Sequence, residues 1–209
     1  MVEQLSRDNI NGILFSKERA IALLDAKWDS SAYPNRTQEA EDRKKAEALL
    51  DTFLDWQAKN KNTILAAEQR FRFRLGDRTV TGYIDRIERQ PDGGLVVIDF
   101  KTGAKPSNIT KAGIREDIQM NVYCMAVQAM PSYGTLPVRA SLYYLKDDKA
   151  IDYIPDDESI AAFKERAASM IAAVCAEEFP ARASYMGCRN CDYKDSRPVG
   201  KRRGDSARR

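Results

Sequence analysis

The spacing of apolar residues changes near residue 65, and this change limits the possible folds more than any other feature of the sequence. Before it, apolar residues recur every three or four positions over residues 10–24 and 46–54, the spacing of amphipathic helices, with a break at Tyr33-Pro34-Asn35. After it, residues 71–75 alternate between apolar side chains and arginines, which is the period of a strand with one buried face. The sequence therefore predicts two helices followed by a sheet.

Two turn signals divide the next residues into three strands. Gly76-Asp77 joins a strand that starts near Leu65 to one that starts near Thr79, and the segment 91–94 joins this second strand to a third at Leu95. Three consecutive strands with tight turns predict an antiparallel meander. Further along, the pattern predicts a helix over residues 114–130, a strand over 138–145 and a helix over 157–175.

The predicted order of elements, α-α-β-β-β-α-β-α, indicates an α/β (α+β) protein. Its central mixed sheet would contain the antiparallel meander and be flanked by helices. The chain has 209 residues, which is the length of one domain. Within it we expect a helical segment over residues 1–62 packed on a core over residues 63–180, followed by a C-terminal segment over residues 181–209.

The sequence contains no histidine. This excludes hydrolysis through a histidine base and histidine-bound zinc, so catalysis would have to use carboxylates, lysine, hydroxyls or a metal. The net charge of +3 lies in the C-terminal tail, because residues 194–209 hold seven Lys and Arg against two Asp and Glu, and we expect this tail to be disordered. Four cysteines, no signal peptide and no apolar run of membrane-spanning length favour a cytoplasmic protein that does not bind membranes.

Charged side chains interrupt the apolar strands of the predicted meander. Asp99 and Lys101 point to one face because strand side chains alternate, while Asp85 lies one hairpin earlier and Glu68 lies on the first strand. Carboxylates buried together need a cation, and their oxygens suit Mg²⁺ or Mn²⁺. The pattern favours metal-assisted hydrolysis in which Lys101 orients or deprotonates a water or stabilises the transition state. The alternatives are a strand-end ion pair of Asp99 with Lys101 and a plain exposed position for Glu68.

These residues belong to an ordered set of motifs. Gly82-Tyr83-Ile84-Asp85-Arg86, Asp99-Phe100-Lys101-Thr102-Gly103 and Gln119-x-x-x-Tyr123 together resemble the PD-(D/E)XK nuclease superfamily and, within it, the RecB/AddB-like exonuclease domains. The resemblance covers about residues 65–130. It implies phosphodiester hydrolysis that depends on Mg²⁺ or Mn²⁺, with Asp85, Asp99 and the Phe100 backbone carbonyl as metal ligands and Lys101 as the catalytic lysine.

The same resemblance has implications for DNA binding. It places Gln119 and Tyr123 among the catalytic residues, on one stripe of the helix that follows the active site, and makes them candidate DNA contacts. Arg70, Arg72 and Arg74 form a second candidate DNA-binding surface, which a solvated strand face explains equally well. The family also implies a helicase domain or subunit as a partner, in DNA repair or recombination.

The chain departs from the family pattern at two sets of ligands. RecB/AddB-like domains often hold an iron–sulfur cluster with one upstream cysteine and a C-x2-C-x5-C-P segment, of which only Cys188 and Cys191 remain here, and no cysteine precedes Cys124. A four-iron cluster needs four ligands, so we expect none. The helical histidine that often completes the family's metal site is also missing. Either the chain is a fragment of a longer helicase–nuclease, or carboxylates and water hold the metal alone.

Three functional hypotheses follow from the sequence. The first is a metal-dependent deoxyribonuclease, expected to be an exonuclease. The second is a DNA-end-binding or scaffold module of a helicase–nuclease complex, which keeps the fold with weakened catalysis and is favoured by the missing ligands. The third is a nuclease of the CRISPR-adaptation type, which shares the motifs.

Overall fold

The computed structural model describes residues 1–107, 109–178 and 191–192. The chain divides into two compact units, residues 1–165 and residues 166–209. The first unit contains the sheet and the candidate site.

A five-stranded mixed sheet forms the centre of the first unit. Its strands are β1 (Thr63–Leu75), β2 (Arg78–Arg89), β3 (Leu95–Lys101), β4 (Arg139–Tyr144) and β5 (Lys149–Tyr153). They lie side by side in chain order, and every neighbouring pair is antiparallel except β3 with β4, which is parallel. The predicted mixed sheet with an antiparallel three-stranded meander is confirmed.

The fifth strand is an element that the sequence analysis missed. It pairs antiparallel with β4 after a turn at Asp148, whose φ is +47°. Only Ile151 and Tyr153 of its five residues are buried, so its apolar pattern is too short to predict a strand.

The N-terminal region forms three helices rather than the predicted two. The α-helices of the described residues are α1 (Val2–Ile10), α2 (Lys17–Lys27), α3 (Arg36–Lys59), α4 (Lys111–Arg115), α5 (Ile118–Ala129) and α6 (Asp157–Cys175). Gly12, with a φ of +84°, turns the chain between the first two, and Ser16 begins the second by accepting a hydrogen bond from the Arg19 amide at 3.1 Å. None of these helices combines the length and the apolar character needed to cross a membrane.

The predicted helix over residues 114–130 is divided at Asp117. This residue has extended backbone angles, and its carboxylate accepts a hydrogen bond from the Met120 amide at 2.9 Å. Aspartate is a favourable N-cap because it satisfies an amide that the first turn leaves free. Asp117 therefore separates α4 from α5 and fixes where α5 begins.

The side chains of β3 alternate between two helical layers. Val96 and Ile98 join a buried cluster with residues of α1, α2 and α3, including Phe53. The alternate residues Val97 and Asp99 therefore face the other side of the sheet, on which α5 packs against β3 and β4. Asp99 thus lies between the sheet and α5.

The hairpin of β1 and β2 is longer than the strand beside it. β2 pairs with β3 only through its last four residues, Arg86 to Arg89, whereas it pairs with β1 along its whole length. The two-stranded end of this hairpin, residues 70–75 and 78–83, is called the distal ribbon below. Gly82 is required there, because a Cβ at this position would lie 2.7 Å from the Phe71 ring.

Candidate active site

Two carboxylates meet where β2 and β3 separate. The strand pairing ends at Arg86 opposite Ile98, and the next residues are Asp85 and Asp99. Asp85 accepts a hydrogen bond from the backbone amide of Phe100 at 3.1 Å, which ties the end of β3 to β2. Asp99 is almost completely buried, with 2% of its surface exposed. Two acidic groups are therefore held together in a largely desolvated position.

Gln119 connects the other predicted site residues. Its side-chain amide donates to Asp99 Oδ1 at 2.6 Å and to the Tyr123 hydroxyl at 2.9 Å, and its carbonyl accepts from Lys101 Nζ at 2.9 Å. The Tyr123 hydroxyl in turn donates to Asp85 Oδ1 at 3.4 Å. Gln119 and Tyr123 are one helical turn apart and face the same side of α5. The structure thus brings Asp85, Asp99, Lys101, Gln119 and Tyr123 together, and this set is called the Asp85–Asp99 cluster below.

Lys101 is the cation of the cluster. Its Nζ lies 2.6 Å from Asp99 Oδ2, and its side chain is 36% exposed, against 3% for that of Asp99. Asp99 Oδ2 is therefore in contact with the Lys101 ammonium, while Asp99 Oδ1 accepts from the Gln119 amide.

Burial and mutual repulsion perturb the acidic groups. The pKa of Asp85 is raised to about 6, first by burial and then by the negative charge of Asp99, although the Phe100 amide opposes the shift. Burial also raises the pKa of Asp99, against the hydrogen bond and charge of Lys101. The pKa of Tyr123 is raised by burial and by the charge of Asp85, so its hydroxyl keeps its proton. The cluster has more negative charge than one lysine neutralises.

A third carboxylate, Glu3, acts on the cluster and was missed by the sequence analysis. Its negative charge contributes to the raised pKa of both Asp85 and Asp99. Glu3 lies on α1 one turn before Ser6, which accepts a hydrogen bond from Arg86, and Arg7, which contacts β1. The only sequence signal was the polar face of a short helix, which does not show where that helix packs.

Glu68 is not brought into the cluster. Its neighbours pair with β2 so that Glu68 is level with Asp85, but its φ of +47° marks an irregularity in the strand. Its carboxylate forms an ion pair with Arg7 and its side chain is 46% exposed. The structure gives Glu68 a basic partner on α1 in place of the predicted position beside the two aspartates.

The other predicted residues lie outside the cluster. Arg70, Arg72 and Arg74 are exposed on the distal ribbon, alternating with the buried Phe71 and Phe73. Cys188 lies outside the described residues, whereas Cys191 is a free thiol. The expected absence of an iron–sulfur cluster stays a prediction.

The cluster fits a divalent cation through two carboxylates. In the described part of the chain, no group of three or more Asp, Glu, Cys or His side chains is arranged to hold a metal ion. The repulsion that raises the pKa of Asp85 is nevertheless what a hard cation would relieve. Asp85 and Asp99 are therefore the available carboxylate ligands, whereas the Phe100 carbonyl stays a predicted ligand.

The comparisons with known proteins identify the family. The model of the PD-(D/E)XK nuclease superfamily matches residues 1–196. The chain belongs to this superfamily, whose name denotes nucleases, and the resemblance that the motifs predicted is confirmed at this level.

The remaining comparisons are distant or negative. A solved structure titled "Crystal structure of SSO0001" is 15% identical in sequence, with a TM-score of 0.41, and the match covers 78% of this chain and 79% of that one. A search of curated proteins finds no match.

Proposed function

We propose that the protein is a metal-dependent deoxyribonuclease that hydrolyses phosphodiester bonds. The observation that supports this most is the joining of Asp99 and Lys101 by Gln119, and of Asp85 to Gln119 through the Tyr123 hydroxyl, in a buried, negatively charged cluster. Asp85, Asp99 and the Phe100 carbonyl would hold Mg²⁺ or Mn²⁺. A bound cation of this kind lowers the pKa of a water and neutralises charge that develops on the phosphate.

The roles of the protein residues follow from their contacts. Lys101 extends to a half-exposed position, where its ammonium group can orient a water or stabilise negative charge on the phosphate. Gln119 is a positioning residue, because it holds both the Lys101 ammonium and Asp99 Oδ1. The Tyr123 hydroxyl positions Asp85 in the same way.

The finer features of the proposal are supported by motif resemblance alone. They are exonuclease action, the RecB/AddB-like subfamily, a helicase partner and a role in DNA repair or recombination. The cytoplasmic location predicted from the cysteine content and the lack of a signal peptide also stays a prediction.

The rival function is a DNA-end-binding or scaffold module with weakened catalysis. It is favoured by the pairing of Glu68 with Arg7, because no third side chain among the described residues is arranged with the two aspartates to hold a metal ion. A nuclease of the CRISPR-adaptation type is a further alternative that shares the motifs and that no contact in the structure favours.

A nuclease assay separates the enzyme from the scaffold. The purified protein should degrade linear DNA with Mn²⁺ or Mg²⁺, and Asp99→Ala or Lys101→Ala should reduce the rate by about 10²–10⁴-fold while thermal unfolding stays cooperative. Lys149→Ala is the matched control, because this lysine is exposed on β5. If the protein binds DNA but leaves it intact at every Mn²⁺ concentration, the scaffold function is correct.

A further inference from the structure

The distal ribbon carries one polar, exposed face. Antiparallel pairing places Arg70 opposite Tyr83, Arg72 opposite Thr81 and Arg74 opposite Thr79, and all six residues are exposed. Side chains of directly opposite residues lie on the same face of a two-stranded ribbon. Three arginines, two hydroxyls and one aromatic ring are therefore presented together.

The three arginines differ from most of the other arginines of the first unit. Of the nine others, seven lie within 4.0 Å of a carboxylate, namely Arg7, Arg19, Arg43, Arg78, Arg86, Arg115 and Arg139, whereas Arg36 and Arg89 do not in the described part of the chain. Among the described residues, no carboxylate is that close to Arg70, Arg72 or Arg74, although all three stand in one row. Guanidinium groups spaced along a strand, with no acidic partner there, are suited to the repeating phosphates of a nucleic acid.

Tyr83 gives this face a second type of contact. It is 58% exposed, which is unusual for a large aromatic side chain, and it stands beside Arg70. Proteins that bind single-stranded nucleic acids often place an exposed ring next to a row of cations. An unpaired base stacks on the ring, while the phosphates of the same strand contact the cations. A paired base inside a duplex does not offer its face in this way.

We propose that the distal ribbon binds single-stranded DNA, with Arg70, Arg72 and Arg74 contacting phosphates and Tyr83 stacking on one base. The choice of DNA rests on the proposed nuclease function. β2 runs from Tyr83 to Asp85 in two residues, about 7 Å along a strand. The stacking residue of the ribbon thus lies two positions before the first aspartate of the Asp85–Asp99 cluster on the same strand.

The first test measures binding without cleavage. Fluorescence anisotropy in EDTA would give the affinity of the full chain for a labelled oligothymidine and for a duplex of equal length. Tyr83→Ala should weaken single-strand binding by about 5- to 150-fold, the range for losing one stacked base, and leave duplex binding unchanged. Tyr83→Phe keeps the ring and should bind as the wild type does. Equal losses on both DNAs, or no loss on either, would overturn the stacking role.

The second test measures the salt dependence. The triple change R70Q/R72Q/R74Q should lower the slope of log affinity against log salt by about 2, because each phosphate contact on a single strand contributes about 0.7. The triple change K44Q/K59Q/K164Q removes the same charge from exposed helical positions and is the matched control. If both triple variants lower the slope equally, the ribbon is not the binding surface.

The two proposals fail in different ways. A ribbon variant that binds weakly supports the inference even if the wild type never cleaves DNA. A wild type that cleaves with Mn²⁺ while every ribbon variant binds single strands normally keeps the nuclease function and overturns the inference.

Discussion

Two buried charged clusters meet at consecutive residues of β2, and they are built in opposite ways. Asp85 belongs to the Asp85–Asp99 cluster, whereas Arg86 forms an ion pair with Glu88 at 2.6 Å, with both side chains fully buried. Glu88 also accepts hydrogen bonds from the side-chain amides of Asn60 and Asn62, each at 2.8 Å. The Arg86–Glu88 cluster is therefore neutral, and the acid within it has several partners.

Arg86 is stabilised in a similar manner. It donates to Ser6 and Gln57, and its guanidinium carbon lies 5.2 Å from the centre of the Trp56 ring and 5.9 Å from that of Phe100. Burial lowers its pKa to about 10, against the charge of Glu88, so the group stays charged at neutral pH. Its Nε is the one atom of this cluster without a hydrogen-bond partner in the described part of the chain.

The difference separates a structural cluster from a functional one. A buried ion pair is tolerated when its charges cancel and its polar atoms are satisfied. The Asp85–Asp99 cluster violates the first condition, since two carboxylates in it face a single lysine. Such local violations concentrate at functional sites, where a ligand supplies what the protein lacks.

The largest expected effect comes from unbalancing the neutral cluster. Glu88→Gln should lower the free energy of unfolding by about 3–5 kcal/mol, because it leaves Arg86 as an unpaired buried charge. Urea unfolding at pH 7 measures the effect. Glu47→Gln is the control. The Glu47 side chain is 41% exposed, and its ion pair with Arg43 should contribute about 0–1 kcal/mol. Equal losses in both variants would contradict the structural role of the Arg86–Glu88 cluster.

The second-largest expected effect is the stabilisation of the folded protein by a divalent cation bound at the Asp85–Asp99 cluster. Mn²⁺ at about one hundred times its dissociation constant should raise the free energy of unfolding by about 2.7 kcal/mol. Asp99→Asn should abolish this gain, because it removes a ligand oxygen with its charge. Glu68→Gln should keep the gain, since Glu68 pairs with Arg7. If Glu68→Gln also abolishes the stabilisation by Mn²⁺, then Glu68 is a metal ligand, as the sequence predicted.

The third effect is a gain in stability when the repulsion between Asp85 and Asp99 is removed. Asp85→Asn should stabilise the metal-free protein by about 1–2 kcal/mol at pH 7, a value reduced for the partial exposure of the group. The folded pKa of about 6 exceeds the ordinary 3.8, so the charged form is disfavoured by folding. The penalty is complete above pH 6 and disappears below pH 3.8.

The free energies of unfolding of Asp85→Asn and of the wild type, measured with urea across this pH range, test the sign of the predicted effect. Their stabilities should converge as the pH falls through the window. Asp77→Asn, at an 83% exposed turn residue, should show no comparable gain. A gain for Asp85→Asn that persists at pH 3 would show that packing, and not charge, is responsible.

The smallest effect concerns Glu3. Glu3→Gln should lower the pKa of Asp85 slightly towards its ordinary value, because Glu3 is a minor contributor to the shift. A carboxyl-detected NMR titration of Asp85 measures the change. An unchanged pKa would show that α1 does not act on the cluster.

The sequence predicted what depends on neighbours along the chain. Strand alternation placed Asp99 and Lys101 on one face, where the structure joins them, and helical spacing placed Gln119 with Tyr123. The turn at Gly76-Asp77 and the meander followed from local conformational preferences. These features needed no knowledge of how distant segments pack.

The missed elements and the pairing of Glu68 depend on segments far apart in the chain or on weak local signals. Glu68 pairs with Arg7, a residue 61 positions earlier that only the packing of α1 against β1 brings close. Glu3 reaches the cluster by the same packing. The strand β5 had too few buried residues to be recognised, and the capping aspartate Asp117 lay inside an uninterrupted helical pattern.

The sequence by itself therefore determined the antiparallel meander and the faces on which the motif residues lie, because the periods of two and of 3.6 residues and the turn residues act locally. Only the tertiary structure decided which charges are compensated. Asp85 and Arg86 are adjacent and both are charged, yet one lies in a cluster with excess negative charge and the other in a neutral cluster with matched partners. The physical reason is that the energy of a buried charge depends on the groups that surround it in space.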